Sequence, residues 1–291
     1  MTEIIRLNRI RVYIYMTALM LIFGLLGSFL SQVFHWGLNG TIIFLLMGAV
    51  VNLIAYFFSD TLILRGSKAR PLSPAQVPEL FAIVEEVARE ADLPMPKLYL
   101  IDEPSMNAFA TGRSPKHAAV AVTRGLLEKL TPQEVKGVVA HELAHIQNWD
   151  TFLMTVIAVL AGLISILADA YWRSGVMNKA EEKDRSGILS LISAGLAVFA
   201  PLSALLIKLA ISRQREFLAD ASGAKIAKDA SALASALEKI SKDRRPLPGM
   251  NAATAHLYFS NPSNRANEWV DKLFSTHPPV AERIARLRKI S

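Results

Sequence analysis

Polar and apolar positions divide the 291-residue chain into greasy and mixed segments. From Val12 to Ser59 there is no Asp, Glu, Lys or Arg. This run of 48 residues is too long for a single membrane span, which needs about 20 apolar residues. It breaks at Ser31–Gly40, where Gln32, His35, Asn39 and two glycines read as a short turn. The pattern predicts one span at about 12–31 and a second at about 41–60. No small-residue cleavage site follows the first run, so it reads as an anchor. Thr151–Ala168 and Ser186–Ile207 are also uncharged and dense in Leu and Ile. They predict two more spanning or embedded helices, against the competing reading of a buried hairpin in a globular core.

The intervening segments have the mixed pattern of a folded domain. Leu80, Val84, Val87 and Ala91 share one face of a helix from Ser73-Pro74 to about Asp92, ended by Pro94 and Pro96. Short apolar runs at 97–102, 108–111 and 118–123 predict strands. Gly112–Pro115 supplies a turn between the last two, so the sheet is expected to be small and antiparallel. Thr131-Pro132-Gln133-Glu134 is a helix start, with Thr as cap, Pro in the first turn and Glu placed for a capping box. That helix runs to about Trp149 and leads into the third apolar segment. Helices also follow from Lys208 to about Lys228, over Ser231–Lys242 and at about 278–290, with a loop-rich stretch at 244–267. The fold class is mainly α with a small antiparallel β-sheet: integral membrane helices carrying a folded domain. Its parts are two anchors (1–64), a first part of the folded domain (65–150), an apolar hairpin (151–208) and a second part of that domain (209–291).

Composition sharpens this picture. Hydrophobic residues make up 52% and charged residues 20%, which excludes a disordered chain and argues against a fully soluble one. With no Cys, neither a disulfide framework nor a thiolate metal site is possible. Much of the net charge of +7 flanks the spans: Arg6, Arg9 and Arg11 precede the first, and Arg65, Lys68 and Arg70 follow the second. The turn between them has no Lys or Arg, so the positive-inside rule puts both flanks in the cytoplasm. The mixed loop 173–185, with Arg173, Lys179, Lys183 and Arg185 against Glu181, Glu182 and Asp184, gives no such bias. The partners expected are the lipid bilayer and membrane proteins. No basic motif with interleaved aromatics points to nucleic acid.

The chemistry centres on His141-Glu142-Leu143-Ala144-His145. Histidines at i and i+4 project from one helix face and can share a metal ion, leaving the intervening Glu beside it as a base. Chance alone produces this pattern in about 0.6% of chains of this composition. A catalytic zinc takes a third protein ligand and keeps one open position. Glu216 is the best candidate, within Ser212-Arg-Gln-Arg-Glu216-Phe-Leu-Ala-Asp220. Glu216 and Asp220 are again i and i+4, so one can bind metal while the other accepts the spare N–H of a ligating His. The alternative is an exposed acidic pair among arginines. Two apolar segments separate His145 from Glu216, so an even number of crossings returns both to one membrane side. Asp150 reads either as a partner of the site or as a boundary charge, and Asp169 as a polar-cavity or helix-end residue. His35, His117 and His256 carry no assigned role.

The His-Glu-x-x-His helix, the apolar hairpin after it, Arg215-Glu216-Phe-Leu-Ala-Asp220 and Phe274-Ser-Thr-His-Pro-Pro279 together resemble the HtpX family over nearly the whole chain. These are bacterial membrane-bound zinc proteases related to the eukaryotic prenyl-protein (CAAX) proteases. The resemblance implies a zincin-like metalloprotease domain, its catalytic parts at 65–150 and 209–291, with one Zn²⁺ per subunit held by His141, His145 and Glu216 and with Glu142 catalytic. It also implies a multi-pass protein of the bacterial inner membrane whose cytoplasmic domain cleaves misfolded or damaged membrane proteins, in stress response and envelope quality control. It places His277 near the site as a donor to the tetrahedral intermediate; Arg283 and Arg213 are further candidates. It suggests, too, that Asn107, Ala108, Phe109, Ala110 and Thr111, mostly small, form an edge to which an extended substrate adds as a strand. The rival reading is a non-catalytic membrane adaptor with a structural zinc site, against which stand Glu142 and the open fourth position.

Overall fold

The computed structural model describes residues 2–33, 35–173, 213–243, 245, 254, 257–259 and 278–290. The fourth apolar segment at 186–207, His256 and His277 lie outside them. The long apolar run folds as two helices, α1 (Thr2–Val33) and α2 (Leu38–Gly66). Both extend past the predicted spans, because helical backbone bonds continue until the chain must turn, whatever the side chains. The turn itself is tight: His35 and Gly37 take left-handed backbone with φ of 57° and 58°. Ile5–Phe29 and Leu38–Gly66 are long and apolar enough to cross a membrane. Within an 18-residue apolar window of each, only 18% and 17% of the residues are buried, unlike the core helix of a globular domain. Tyr13, Leu21, Leu25, Phe29, Ile43 and Phe58 face outward. Asn52 ties the hairpin together by donating to the Met16 carbonyl at 3.0 Å.

A short strand, β1 (Arg70–Pro71), leads to α3 (Pro78–Glu90), which starts later than Ser73-Pro74 implies. Ser73 instead donates its backbone N–H and its hydroxyl to Gln76 Oε1 at 2.9 and 3.1 Å. Pro78 also disfavours helical backbone at Val77, so the helix begins at the proline itself. Leu80, Val84, Val87 and Ala91 are buried on one face, as their spacing requires.

Strands β2 (Lys97–Ile101), β3 (Ala108–Gly112) and β4 (Ala118–Thr123) complete the sheet, whose order is β1-β2-β4-β3. The β3–β4 hairpin is antiparallel, but β4 lies parallel to β2, with Lys97 opposite Ala119. The expected antiparallel sheet is therefore mixed. Residues 102–107 carry the chain past the place of β4 to the sheet edge, and the hairpin then returns β4 into the gap. Parallel pairing is stable here because both sheet faces are covered. Ala108, Ala110, Val120 and Val122 join a core with α3 and with the helices that carry the site, while Phe109, Ala119 and Ala121 join a second core on the membrane-hairpin side.

After the short α4 (Arg124–Lys129) comes α5 (Pro132–Gln147), with its capping box in place. The Thr131 N–H donates to Glu134 Oε2 at 2.8 Å, and the Glu134 N–H donates to Thr131 Oγ1 at 3.3 Å. The chain does not run straight on into the third apolar segment. Trp149 takes left-handed backbone, φ 61°, and forms an elbow before α6 (Asp150–Arg173). The first turns of α6 are packed inside the protein: Leu153, Val156, Ile157 and Leu160 are buried with residues of the sheet and of α1 and α2. The remaining described elements are α7 (Arg213–Ala227), α8 (Ala230–Lys242) and α9 (Val280–Leu287).

Candidate metal centre

Helix α5 carries His141, Glu142 and His145, all at most 5% exposed. Helix α7 packs against it through Gly223. A Cβ at Gly223 would come within 2.9 Å of the His141 backbone, so only glycine permits this approach. Glu216, Asp220 and Gly223 stand at i, i+4 and i+7, so the face of α7 that touches α5 is the face that carries its carboxylates. Motif reasoning passed over Gly223, although its spacing from Glu216 and Asp220 was a usable signal. The approach of α8 has the same cause, since a Cβ at Gly137 would lie 3.0 Å from Leu233 Cα.

The two Nε2 atoms of His141 and His145 face each other at 3.2 Å. Glu216 lies over them, Oε1 3.5 Å from His145 Nε2 and Oε2 3.8 Å from His141 Nε2. Ligands at about 2.0–2.1 Å from a tetrahedral zinc stand about 3.4 Å apart, so this donor set has the spacing a bound zinc requires. One ligand atom from each of the three residues lies within 4.8 Å of the others. Each imidazole also has a carboxylate at its other nitrogen. His141 Nδ1 is 3.0 Å from Asp220 Oδ1, and His145 Nδ1 is 3.2 Å from Asp150 Oδ2. A proton held on Nδ1 leaves the Nε2 lone pair free for a metal.

Arg283, from α9, closes the site from the far side and is 1% exposed. Its Nε and Nη2 donate to the two Asp220 oxygens at 2.8 and 2.7 Å, and its Nη1 is 3.6 Å from Glu216. Its Nη2 also lies 3.4 Å from both ring nitrogens of His141, so it braces Asp220 and His141 together. The other two candidate donors are placed differently. Arg213 is exposed at the start of α7, and His277 is outside the described residues.

Burial sets the charge state of the base. It pushes the Glu142 carboxyl up to about 7, with Glu216 reinforcing the shift and His145 opposing it. Burial pulls His141 down to about 4. Burial also works against a charge on His145, but its hydrogen bond to Asp150 and the field of Glu216 prevail and raise it to about 9. A metal ion at Nε2 takes the place of that proton.

β3 lies at the sheet edge beside Glu142, but the edge is not open. Residues 107–111 are all buried. The Ala110 backbone N–H donates to the Glu142 carboxylate, and the Ala108 carbonyl accepts the Phe259 N–H at 2.8 Å. Phe259 also packs edge-on to His141, with ring centroids 5.0 Å apart. An open edge was the expectation. The chain's own 257–259 segment takes one of its hydrogen-bonding positions, a long-range contact that no local pattern announces. Of the remaining histidines, His35 is exposed in the turn, and His117 is exposed and bonded to Ser114 at 2.9 Å.

Comparison with known proteins agrees with this geometry. Residues 74–291 match the description of Peptidase family M48. A "Protease HtpX homolog" of Thermoanaerobacter pseudethanolicus is 45% identical over 287 residues, covering 97% of this chain and 95% of the relative. One from Pyrococcus abyssi is 48% identical over 258 residues, covering 88% of each chain. The crystal structure of S. mikatae Ste24p shares the fold, with a TM-score of 0.51 at 20% identity over 99% of this chain and 67% of that one. With this likeness over most of its length and a histidine–histidine–glutamate group able to hold a metal ion, the chain is a metallopeptidase and belongs to Peptidase family M48.

Proposed function

We propose that this chain is a zinc endopeptidase of a bacterial inner membrane, cleaving misfolded or damaged membrane proteins at the cytoplasmic face as part of envelope quality control. The observation that carries the reading is the convergence of His141 Nε2, His145 Nε2 and the Glu216 carboxylate beside the buried Glu142. Borderline nitrogen donors with one carboxylate suit zinc, and three protein ligands leave a position for substrate. When bound, zinc supplies Lewis-acid polarisation of the scissile carbonyl and lowers the pKa of the attacking water. Glu142, raised to about 7, accepts the proton that water loses and then delivers it to the leaving amine nitrogen. The Ala110 N–H holds the Glu142 carboxylate in place, and Asp220 and Asp150 keep the two imidazoles in the required tautomer.

The membrane assignment rests on α1 and α2, whose outward apolar faces are far larger than a soluble monomer exposes. Arg6, Arg9 and Arg11 before α1, and Arg65, Lys68 and Arg70 around the end of α2, favour a cytoplasmic metal centre. The anchors (1–64), the two catalytic parts (65–150 and 209–291) and the hairpin (151–208) form one membrane-bound unit. An extended substrate segment pairs with the β3 edge at Asn107–Thr111 once 257–259 moves aside; backbone pairing suits varied unfolded sequences.

The test is zinc content and cleavage of an unfolded substrate such as casein by purified protein in detergent. Glu142→Gln should retain stoichiometric zinc and lose about 10²–10⁴-fold in kcat. Glu216→Ala should lose the metal. Cleavage at wild-type rate by Glu142→Gln would sink the mechanism, and full zinc in Glu216→Ala would sink the ligand set.

A further inference from the structure

The metal centre is braced on two sides, and only one brace comes from the helices around it. Asp220, behind His141, is held by Arg283. Asp150, behind His145, is held by a residue from the far end of the chain. Asn8 of α1 donates its side-chain amide to Asp150 Oδ1 at 2.6 Å and to the Asn148 carbonyl at 3.1 Å. Arg11 Nη1, 3.4 Å from Asn8 Oδ1, fixes which way the amide points. Asn8 is 1% exposed and Asp150 fully buried. A second contact joins the same two regions: the Arg9 guanidinium lies over the Trp149 ring at 5.2 Å. The first membrane helix therefore clamps the α5–α6 elbow at Asn148, Trp149 and Asp150, one turn beyond His145.

The chemistry of this contact is specific. The buried Asp150 carboxylate directs Oδ2 at His145 Nδ1 and needs a donor on Oδ1. Asn8 provides that donor as a neutral amide and adds no further charge beside Asp150, which already feels the buried Arg215 guanidinium. Asp150 thus remains a strong acceptor for the Nδ1 proton and keeps His145 Nε2 turned toward His141 and Glu216. An arginine or lysine at position 8 would compete with His145 for the same charge.

We propose that Asn8 is a positioning residue of the metal centre, acting through Asp150 on His145, so that α1 forms part of the metal site and is more than a tether. The proposal rests on the reading of His141, His145 and Glu216 as the metal ligands. It is tested on the full-length protein in detergent with Asn8→Ala, Glu216→Ala and the exchange Asn8→Asp with Asp150→Asn. Three quantities are read: zinc release to a chromophoric chelator, the visible spectrum of the Co²⁺-substituted protein, and kcat and KM.

Asn8→Ala should release zinc about 10–100-fold faster, shift the cobalt bands and lower kcat with KM little changed. The exchanged pair rebuilds the hydrogen bond between positions 8 and 150 but leaves His145 facing a neutral amide. It forfeits the donation to the Asn148 carbonyl but should still fold and lose zinc quickly, and it carries the test if Asn8→Ala does not fold. Wild-type zinc release and cobalt bands in Asn8→Ala would overturn the proposal and leave Asn8 a packing contact, whereas full restoration by the exchange would overturn the need for a charged acceptor behind His145. Glu216→Ala separates the two levels: if it keeps stoichiometric zinc, the ligand set fails whatever Asn8 does.

Discussion

Replacing Gly223 with alanine asks whether helix contact sets the metal geometry. Two effects oppose each other. Alanine favours helix over glycine by about 1 kcal/mol. The new Cβ, however, would lie 2.9 Å from both Cα and N of His141, and both are backbone atoms that cannot rotate away. Relaxed carbon contacts begin at about 3.5 Å, so α7 must retreat by about 0.6 Å. Overpacking of this kind costs about 1–3 kcal/mol, more than the propensity gain. Glu216 and Asp220 lie two turns and one turn away on the same face and retreat with the helix, whereas metal–ligand distances tolerate only about 0.2 Å. Gly223→Ala should therefore lower the thermal midpoint and weaken zinc binding about 10–100-fold in chelator competition. Gly162→Ala in α6 is the control, since a Cβ there meets nothing within 4 Å among the described residues. Its zinc affinity should match wild type. Wild-type zinc affinity in Gly223→Ala would refute the claim that this approach places Glu216.

Further outcomes follow from the Arg283 brace. Arg283→Leu leaves Asp220 and Glu216 buried beside each other without their cation, so the folded state should lose about 3–5 kcal/mol, read by thermal or denaturant unfolding in detergent. Asp220 alone also implies an acid transition. Burial would raise its carboxyl, but the charge and hydrogen bonds of Arg283, aided by His141, hold it at about 2 against an ordinary 3.8. A depressed folded pKa stabilises above the unfolded value, so this contribution is intact above about pH 4 and is lost as pH falls toward 2. It amounts to roughly 2.5 kcal/mol. Unfolding measured from pH 5 to 2 should show that loss in wild type and a shallower one in Asp220→Asn; equal slopes would count against the pair.

Much of this protein was legible as local pattern. The run from Val12 to Ser59 required paired apolar helices, because no charge interrupts it and a bilayer is about 20 helical residues thick. Thr131 to Glu134 dictated where α5 begins, and four-residue spacing put His141 with His145 and Glu216 with Asp220. These features depend on backbone geometry within one element, which the order of residues specifies directly. What depends on distance along the chain came only from the tertiary structure. The parallel pairing of β2 with β4 reflects how two cores cover the sheet, and an apolar run names a strand without naming its neighbour. The 257–259 segment on the β3 edge, the Arg283 clasp on Asp220 and the reach of Asn8 to Asp150 are contacts between residues 63 to about 150 positions apart. Each satisfies a polar group that folding removes from water, and such a group takes its partner from whatever the packed helices bring within about 3 Å. The sequence alone therefore named the metal-binding chemistry, while packing determined what orients it.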